Sequence, residues 1–357
     1  MQPPRNERAR AIAGHRPLLA ADPATVTWLT GFAPEIESGP SPFSAPPLCV
    51  LDPDGTVVLI ASEDEADGAR EGVEVRAFPG FAVEDVDRRA ESARLALEAV
   101  SAARQLAVEL AALPGSVASA LVRAGVELED VAGGLRAARA VKDPDEVDEI
   151  RAAVRVADAG QAAARSAFAA GRTELDLWTE TRRAMETAAG SRIPVLADFV
   201  TGVRTADVGG PPGDRVVEEH DLLLVDLVPR VGAYWADSCA TVASGDPPAQ
   251  ARDAHEACLA ALELAVGLVR PGAVAGEIDA AAREAVGGYP HHTGHGIGVT
   301  NHEEPRIVPN SARVLEPGMV VALEPGSYGD GWGVRLERVV VVTDDGCEVL
   351  SGHELEL

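Results

Sequence analysis

The sequence predicts a two-domain α+β protein. A smaller α/β domain covers residues 1–138, and a larger domain of helices and antiparallel hairpins covers residues 139–357. Three observations predict this. The length, 357 residues, suits about two domains at roughly 150 residues each. The run Asp143-Pro144-Asp145-Glu146 gives a helix N-cap, a proline in the first helical position and a capping-box glutamate in succession, so a new helix opens there. Two later segments, Asp221 to Ser244 and Met319 to Thr343, are apolar strand pairs around turn dipeptides.

The elements follow in order. Arg16 to Ala20 reads as a short strand, and Asp22-Pro23 opens a short helix through Trp28 and Leu29. Leu48 to Leu51 and Thr56 to Ala61 are apolar runs around Asp52-Pro53-Asp54-Gly55, a hairpin with its turn chemistry in the middle. Val73 to Phe78 is a further strand, and the Ala-rich segment Val86 to Val100 a helix. Beyond the boundary, Val147, Ile150, Val154 and Ala157 form a helical stripe. A helix over 174–188, strands at 195–203 and 222–228, and helices over 248–268 and 274–286 come next, with a strand-rich tail to Leu350.

Composition narrows the function. Hydrophobic residues make up 46% of the chain, enough to build cores. The formal net charge of −26 argues against binding nucleic acid or an anionic membrane surface, because both need Lys and Arg to meet phosphate. Met1 to Pro17 lacks the apolar run of a signal peptide, and no stretch reaches the roughly 18 apolar residues of a membrane span. Cys49, Cys239, Cys258 and Cys347 are scattered without a CxxC pair. Reduced thiols in a cytoplasmic protein are the expectation.

Chemistry concentrates in three segments. In the first, DLLLVDLVPRVGAYWADSCATVAS, a turn at Val231-Gly232 sets Asp226 directly opposite Asp237. Like charges placed so close are destabilising unless a cation lies between them. In the last, a turn at Asp330-Gly331 sets Glu324 opposite Glu337, again two carboxylates in apolar strands. Between them, Tyr289 to Glu304 carries His291, His292, His295 and His302 among glycines that permit close backbone approach. Tyr234, Trp235, Tyr289, Tyr328 and Trp332 also sit near these segments in a chain poor in aromatics, which suggests a shaped pocket. Singly, an acid in a strand or a histidine in a loop is usually a solvated or satisfied residue; two mirrored acid pairs around a histidine loop weaken that plain reading. Four carboxylates and an imidazole form a mostly oxygen donor set for two divalent ions, with Mn²⁺ the natural occupant and Co²⁺ or Zn²⁺ as alternatives.

These residues resemble a known family over nearly the whole chain: the pita-bread metallopeptidases, which include methionine aminopeptidase, aminopeptidase P, prolidase and creatinase-like relatives. The motifs are the aspartates Asp226 and Asp237, Gly294-His295-Gly296-Ile297-Gly298, His302-Glu303-Glu304-Pro305, Gly318-Met319 through Glu324-Pro325-Gly326, and Arg335-Leu336-Glu337. Trp28 to Phe32 and the linker Val141 to Arg151 are similar to the aminopeptidase P and prolidase branch. The resemblance implies a curved antiparallel sheet backed by helices, with the metal site on its concave face, and a creatinase-like N-terminal domain. It implies Asp226, Asp237, His295, Glu324 and Glu337 as metal ligands, Asp237 and Glu337 bridging both ions. A metal-bridging hydroxide would attack the scissile carbonyl with Glu324 as general base. His302 would stabilise the tetrahedral intermediate, His291 would line the substrate pocket, and Arg335 would hold carboxylates in place while contacting substrate. The implied activity is removal of the N-terminal residue from short peptides, as an Xaa-Pro aminopeptidase or Xaa-Pro dipeptidase, by a homodimer.

One departure stands out. The family usually has a substrate-binding histidine about seventeen residues before the first metal aspartate, and that position here is Gly209. A glycine would leave a larger pocket with one donor fewer, and Arg204 and Asp207 are the nearby polar candidates. Specificity for proline is therefore less secure than hydrolysis. The alternative is a metal-dependent hydrolase or lyase of a small non-peptide molecule, since relatives open a cyclic amidine, hydrolyse creatine or cleave a sulfonium osmolyte. The complete ligand set disfavours a creatine-type enzyme and a non-catalytic binding protein on the same fold.

Overall fold

The computed structural model describes residues 3–34, 45–80 and 87–357. The chain divides into two compact units, Met1–Arg139 and Ala140–Leu357.

In the first unit, helix α1 (Arg5–Ile12), strand β1 (Leu18–Ala20) and helix α2 (Pro23–Thr30) precede β2 (Leu48–Leu51), β3 (Val57–Ser62) and β4 (Glu74–Phe78). Helices α3 (Arg88–Ala99), α4 (Gly115–Arg123) and α5 (Ala132–Arg139) then alternate with β5 (Gln105–Val108) and β6 (Glu127–Asp130). The strands form one mixed sheet in the order β4-β3-β2-β1-β5-β6. The β2–β3 hairpin turns where the Asp-Pro-Asp-Gly run stands, and Leu51 pairs with Val57. Asp87 caps α3 by accepting from the Ala90 amide at 3.0 Å, while Val86, the first residue expected in that helix, lies outside the described residues. Leu19, Val50, Ile60, Phe78, Ala96 and Leu106 meet in the core of this unit.

A buried acid ties the start of α2 to the sheet. Glu109, which follows β5, accepts from the backbone amides of Ala21 at 3.2 Å and Asp22 at 3.0 Å, and from Thr25 Oγ1 at 2.6 Å. The Arg139 guanidinium in turn donates to Thr25 Oγ1 at 2.7 Å. Glu109→Ala strips these buried donors of their acceptor. The expected loss is about 3 kcal/mol of stability, read as a lower denaturation midpoint with an unchanged slope.

The second unit opens with α6 (Pro144–Ala167), where Glu146 accepts from the Asp143 amide at 2.9 Å as a capping-box residue does. Then come α7 (Glu174–Ala189), β7 (Val195–Thr201), β8 (Leu222–Val231), β9 (Tyr234–Trp235), β10 (Cys239–Ala243), α8 (Ala249–Leu268) and α9 (Ala275–Val286). The tail holds β11 (Gly294–Gly296), β12 (Glu303–Ile307), β13 (Val320–Leu323), β14 (Gly326–Gly329), β15 (Trp332–Arg335), β16 (Arg338–Val342) and β17 (Cys347–Val349). Antiparallel pairing runs throughout, with β10-β8-β7 in one sheet, β12-β11-β13-β16-β17 in another, and β14-β15 as a ribbon. Apolar side chains of α8, α9 and the second sheet bury one another, among them Leu262, Ile278, Val321 and Val340.

The two hairpins behave differently from each other. Around Asp330-Gly331 the register is the expected one: Gly329 pairs with Trp332, Gly326 with Arg335 and Leu323 with Arg338, which sets Glu324 and Glu337 across from each other. Gly331 takes the positive φ of 78° that this turn requires. In the first hairpin the expected pairing is wrong. Val231 pairs with Tyr234 and Asp226 with Cys239, because the turn sits on Gly232-Ala233 instead of Val231-Gly232. The slip is two residues, so Asp237 keeps its face and stays beside Asp226.

Backbone amides of the second hairpin help knit the two hairpins together. The Glu337 amide donates to the Cys239 carbonyl at 2.9 Å, and the Arg335 amide donates to Thr241 Oγ1 at 3.0 Å. The four cysteines are free thiols. No helix among the described residues is long and apolar enough to cross a membrane.

Candidate metal centre

The site is built where β8, β11 and the two hairpins of the second unit converge. Asp226 lies on β8, Asp237 between β9 and β10, His295 on β11, Glu324 just after β13, and Glu337 between β15 and β16. All five are buried. Only a glycine fits at 294, because a Cβ there would overlap the Ala322 carbonyl on neighbouring β13. That close approach holds β11 tightly enough to seat His295 at the site. Asp237, His295 and Glu337 offer ligand atoms within 4.8 Å of one another, as do His292, His295 and His302.

Hydrogen bonding identifies what this cluster lacks. His295 Nδ1 faces the Gly296 carbonyl at 3.0 Å, which fixes the tautomer with a lone pair on Nε2. That Nε2 is buried without a hydrogen-bond partner, as are Asp226 Oδ1 and Glu337 Oε1. Buried polar atoms are almost always satisfied, so three orphans converging from separate segments point to a ligand. Nε2 lies 3.6 Å from Asp237 Oδ2 and 3.5 Å from Glu324 Oε1, too far for good hydrogen bonds.

Charge gives the same answer. Burial raises the Asp237 carboxyl well above its ordinary range, and repulsion from Glu337 and Asp226 adds to it. Burial, then repulsion from Glu324 and Asp226, raises Glu337 likewise. Burial also raises Asp226, with the Arg335 guanidinium pulling the other way. Glu324 is the exception: burial would raise it, but the bond from His292 and the nearby His295 and Arg335 outweigh burial and hold it well below the usual carboxylate range. Packed carboxylates of this kind take up either protons or metal. Oxygen-rich donors with one imidazole fit hard or borderline divalent ions.

Around the carboxylates, neighbouring groups fix their orientation. Arg335 Nη2 donates to Asp226 Oδ2 at 2.5 Å, Nη1 donates to the Val208 carbonyl at 2.7 Å, and Nε lies 3.8 Å from Glu324 Oε2. Val208 is held at φ 73°, a conformation unfavourable for a β-branched residue, and this turns its carbonyl toward the guanidinium. His291 meets Tyr328 Oη at 2.9 Å, and the Arg283 guanidinium donates to the His291 carbonyl at 2.5 Å. A buried ion pair, Lys142 with Glu303 at 3.0 Å, anchors the segment that carries His302. The His302 ring stands 4.1 Å from the His295 ring. Burial, and then the neighbouring His295 and His292, push the His302 imidazole down to about 4, so it is neutral at pH 7.

A cleft of about 300 Å³ opens onto the centre, lined by Asp226, Asp237, His291, His302, Glu324 and Arg335, and also by Leu196, Asp198, Val228, His292 and Asn301. Of the residues singled out from the sequence, Asp226, Asp237, His291, His302, Glu324 and Arg335 line this cleft and His295 and Glu337 stand beside Asp237, whereas none of the five aromatics expected to shape the pocket lines it. Three polar groups there were given no role from the sequence: Asn301, His292 and Asp198. His292 Nε2 reaches Glu324 Oε1 at 2.8 Å, a contact that the doubled histidine at 291–292 hints at only weakly. Asp198 lies on β7 and pairs across the sheet with Asp226. It fills the space over Gly209, where a Cβ would overlap its carboxylate. The larger pocket expected from a glycine at 209 is therefore not formed. Neither polar candidate replaces the histidine: Arg204 pairs with Glu174, and Asp207 is exposed.

The fold agrees with comparisons to known proteins. Residues 148–344 match the model for metallopeptidase family M24, and residues 13–141 match the creatinase/prolidase N-terminal domain. The chain belongs to metallopeptidase family M24. It is 35% identical over 231 residues to the probable dipeptidase PepE of Mycobacterium tuberculosis, covering 62% of this chain and 61% of that relative's length. It is 32% identical over 238 residues to the Xaa-Pro dipeptidase of Pyrococcus furiosus, covering 65% of this chain and 68% of that one. The crystal structure of the prolidase from Pyrococcus horikoshii superimposes with a TM-score of 0.82 at 25% identity, covering 99% of both chains.

Proposed function

We propose that this chain is a metal-dependent peptidase that removes the N-terminal residue from short peptides ahead of proline, as an Xaa-Pro dipeptidase or aminopeptidase. The observation that carries this reading is the convergence of three buried, unpartnered ligand atoms on Asp226, His295 and Glu337 beside a cleft. Relatives named as dipeptidases support the substrate class. Two divalent ions, with Mn²⁺ the leading occupant, held by Asp226, Asp237, His295, Glu324 and Glu337, would polarise a peptide carbonyl and acidify a water.

The chain's own groups divide the remaining work. Glu324, kept ionised by its histidine neighbours, takes the proton of the attacking water and delivers it to the leaving nitrogen. His302, neutral at pH 7, donates an N–H to the carbonyl oxygen as charge develops there. His291, bound to Tyr328, lines the substrate side of the cleft. Arg335 neutralises Asp226 and keeps it aimed at the centre. Residues 139–357 act as the catalytic domain in this reading, with a creatinase-like domain over 1–138, in a cytoplasmic homodimer.

The test is turnover of a library of Xaa-Pro dipeptides and tripeptides by protein supplied with Mn²⁺. Release of the N-terminal residue is expected. No cleavage of any member, despite stoichiometric bound metal, turns the assignment to hydrolysis or lysis of a small non-peptide molecule.

A further inference from the structure

We infer that Asp198 is a specificity-determining residue that recognises an alkylammonium group of the substrate. The inference rests on the peptidase reading for the identity of the substrate, but not for the recognition itself.

The geometry separates Asp198 from the metal ligands. Its Oδ2 accepts from Arg335 Nη2 at 3.1 Å, the same nitrogen that holds Asp226, so the guanidinium stands between it and the centre. Among the described residues, Oδ1 takes no hydrogen bond, and the side chain is 39% exposed on the cleft. Arg335 is already shared among Asp226, the Val208 carbonyl and Asp198, so it supplies little charge to spare. Outside the proposed ligand set, Asp198 is the carboxylate that lines the cleft, and it is more exposed than the Asp226, Asp237 and Glu324 side chains there.

Gly209 makes this possible. The absence of a side chain at 209 leaves the room that the Asp198 carboxylate occupies. A wall that would offer a donor offers an acceptor instead, which reverses the polarity of the group it can satisfy. Beside it, Leu196 is two residues earlier on β7, on the same face, and is 48% exposed; its cross-strand partner Val228 also lines the cleft. An acid next to an apolar shelf fits an ammonium on a hydrocarbon stem. Two sources offer that chemistry: the peptide's α-amino terminus and a lysine-like side chain.

Four ligands separate the sources. Lys-Pro carries both ammonium groups, norleucyl-Pro only the α-ammonium, 6-aminohexanoyl-Pro only the terminal one, and hexanoyl-Pro neither. Affinity for the Mn²⁺-loaded protein is measured by calorimetry, and kcat/KM wherever cleavage occurs. In the wild type, deleting the recognised ammonium is expected to cost about thirtyfold. In Asp198→Asn, and equally in Asp198→Ser, the same deletion should cost threefold or less, with hexanoyl-Pro unaffected. A uniform fall for all four ligands would mean that Asp198 only positions Arg335, and would overturn the inference. So would a wild type that binds all four alike. Ammonium-dependent binding without any cleavage would uphold Asp198 and defeat the peptidase reading. Cleavage indifferent to both ammonium groups would do the reverse.

Discussion

Glu324→Gln is expected to lower turnover of Xaa-Pro peptides by about a thousandfold or more. The substitution removes a ligand charge and the proposed base together, yet it keeps the shape of a side chain that is almost fully buried. A glutamine cannot accept the proton of an attacking water. Its amide would also lose the strong bond that the ionised carboxylate takes from His292 at 2.8 Å. Two readouts are needed, kcat/KM and bound Mn²⁺ per chain, because loss of metal and loss of base both stop turnover. Activity within tenfold of wild type with full metal would contradict the role given to Glu324.

The second large effect is on stability. Without metal, Asp226, Asp237 and Glu337 are packed together with orphaned atoms and raised carboxyls. Divalent cation binds the folded site and not the dispersed ligands of the unfolded chain, so it stabilises by mass action. At a free concentration a hundred times Kd the gain is about 2.7 kcal/mol per site. For a unit of this size that is a rise in Tm of about 5–10 °C. Chelation should reverse it. Asp237→Asn should abolish the shift, and the metal-free variant should be at least as stable as metal-free wild type, since one of the mutually repelling carboxyls is gone. Superimposable melting curves with and without Mn²⁺ would rule out this site as a metal centre.

Much of the frame was legible because it is locally encoded. The Asp143–Glu146 cap and the Asp330-Gly331 turn act through neighbours in sequence, and both elements form where their residues place them. The first hairpin was misread because Val231-Gly232-Ala233 allows two turn positions. The two-residue periodicity of strands protected the conclusion from the error. Asp198 was illegible for a different reason. Its meaning depends on a glycine in another segment and an arginine in a third, and no local pattern links positions 198, 209 and 335. His292 likewise acquires its partner only when β11 is laid against the end of β13.

The bonds that join the two hairpins have a consequence for how the protein is made. Each hairpin closes over a short loop and brings its own pair of acids together early, whereas Glu337 reaches Cys239, and Arg335 reaches Thr241, only across about a hundred residues of chain. On the ribosome, therefore, the first half of the proposed ligand set is present long before the second has been synthesised. A carboxylate pair alone is a poor chelator. With the proposed ligands, tight capture of metal would be withheld until the last strands dock, and the emerging chain would be spared from closing around an ion in a half-built site.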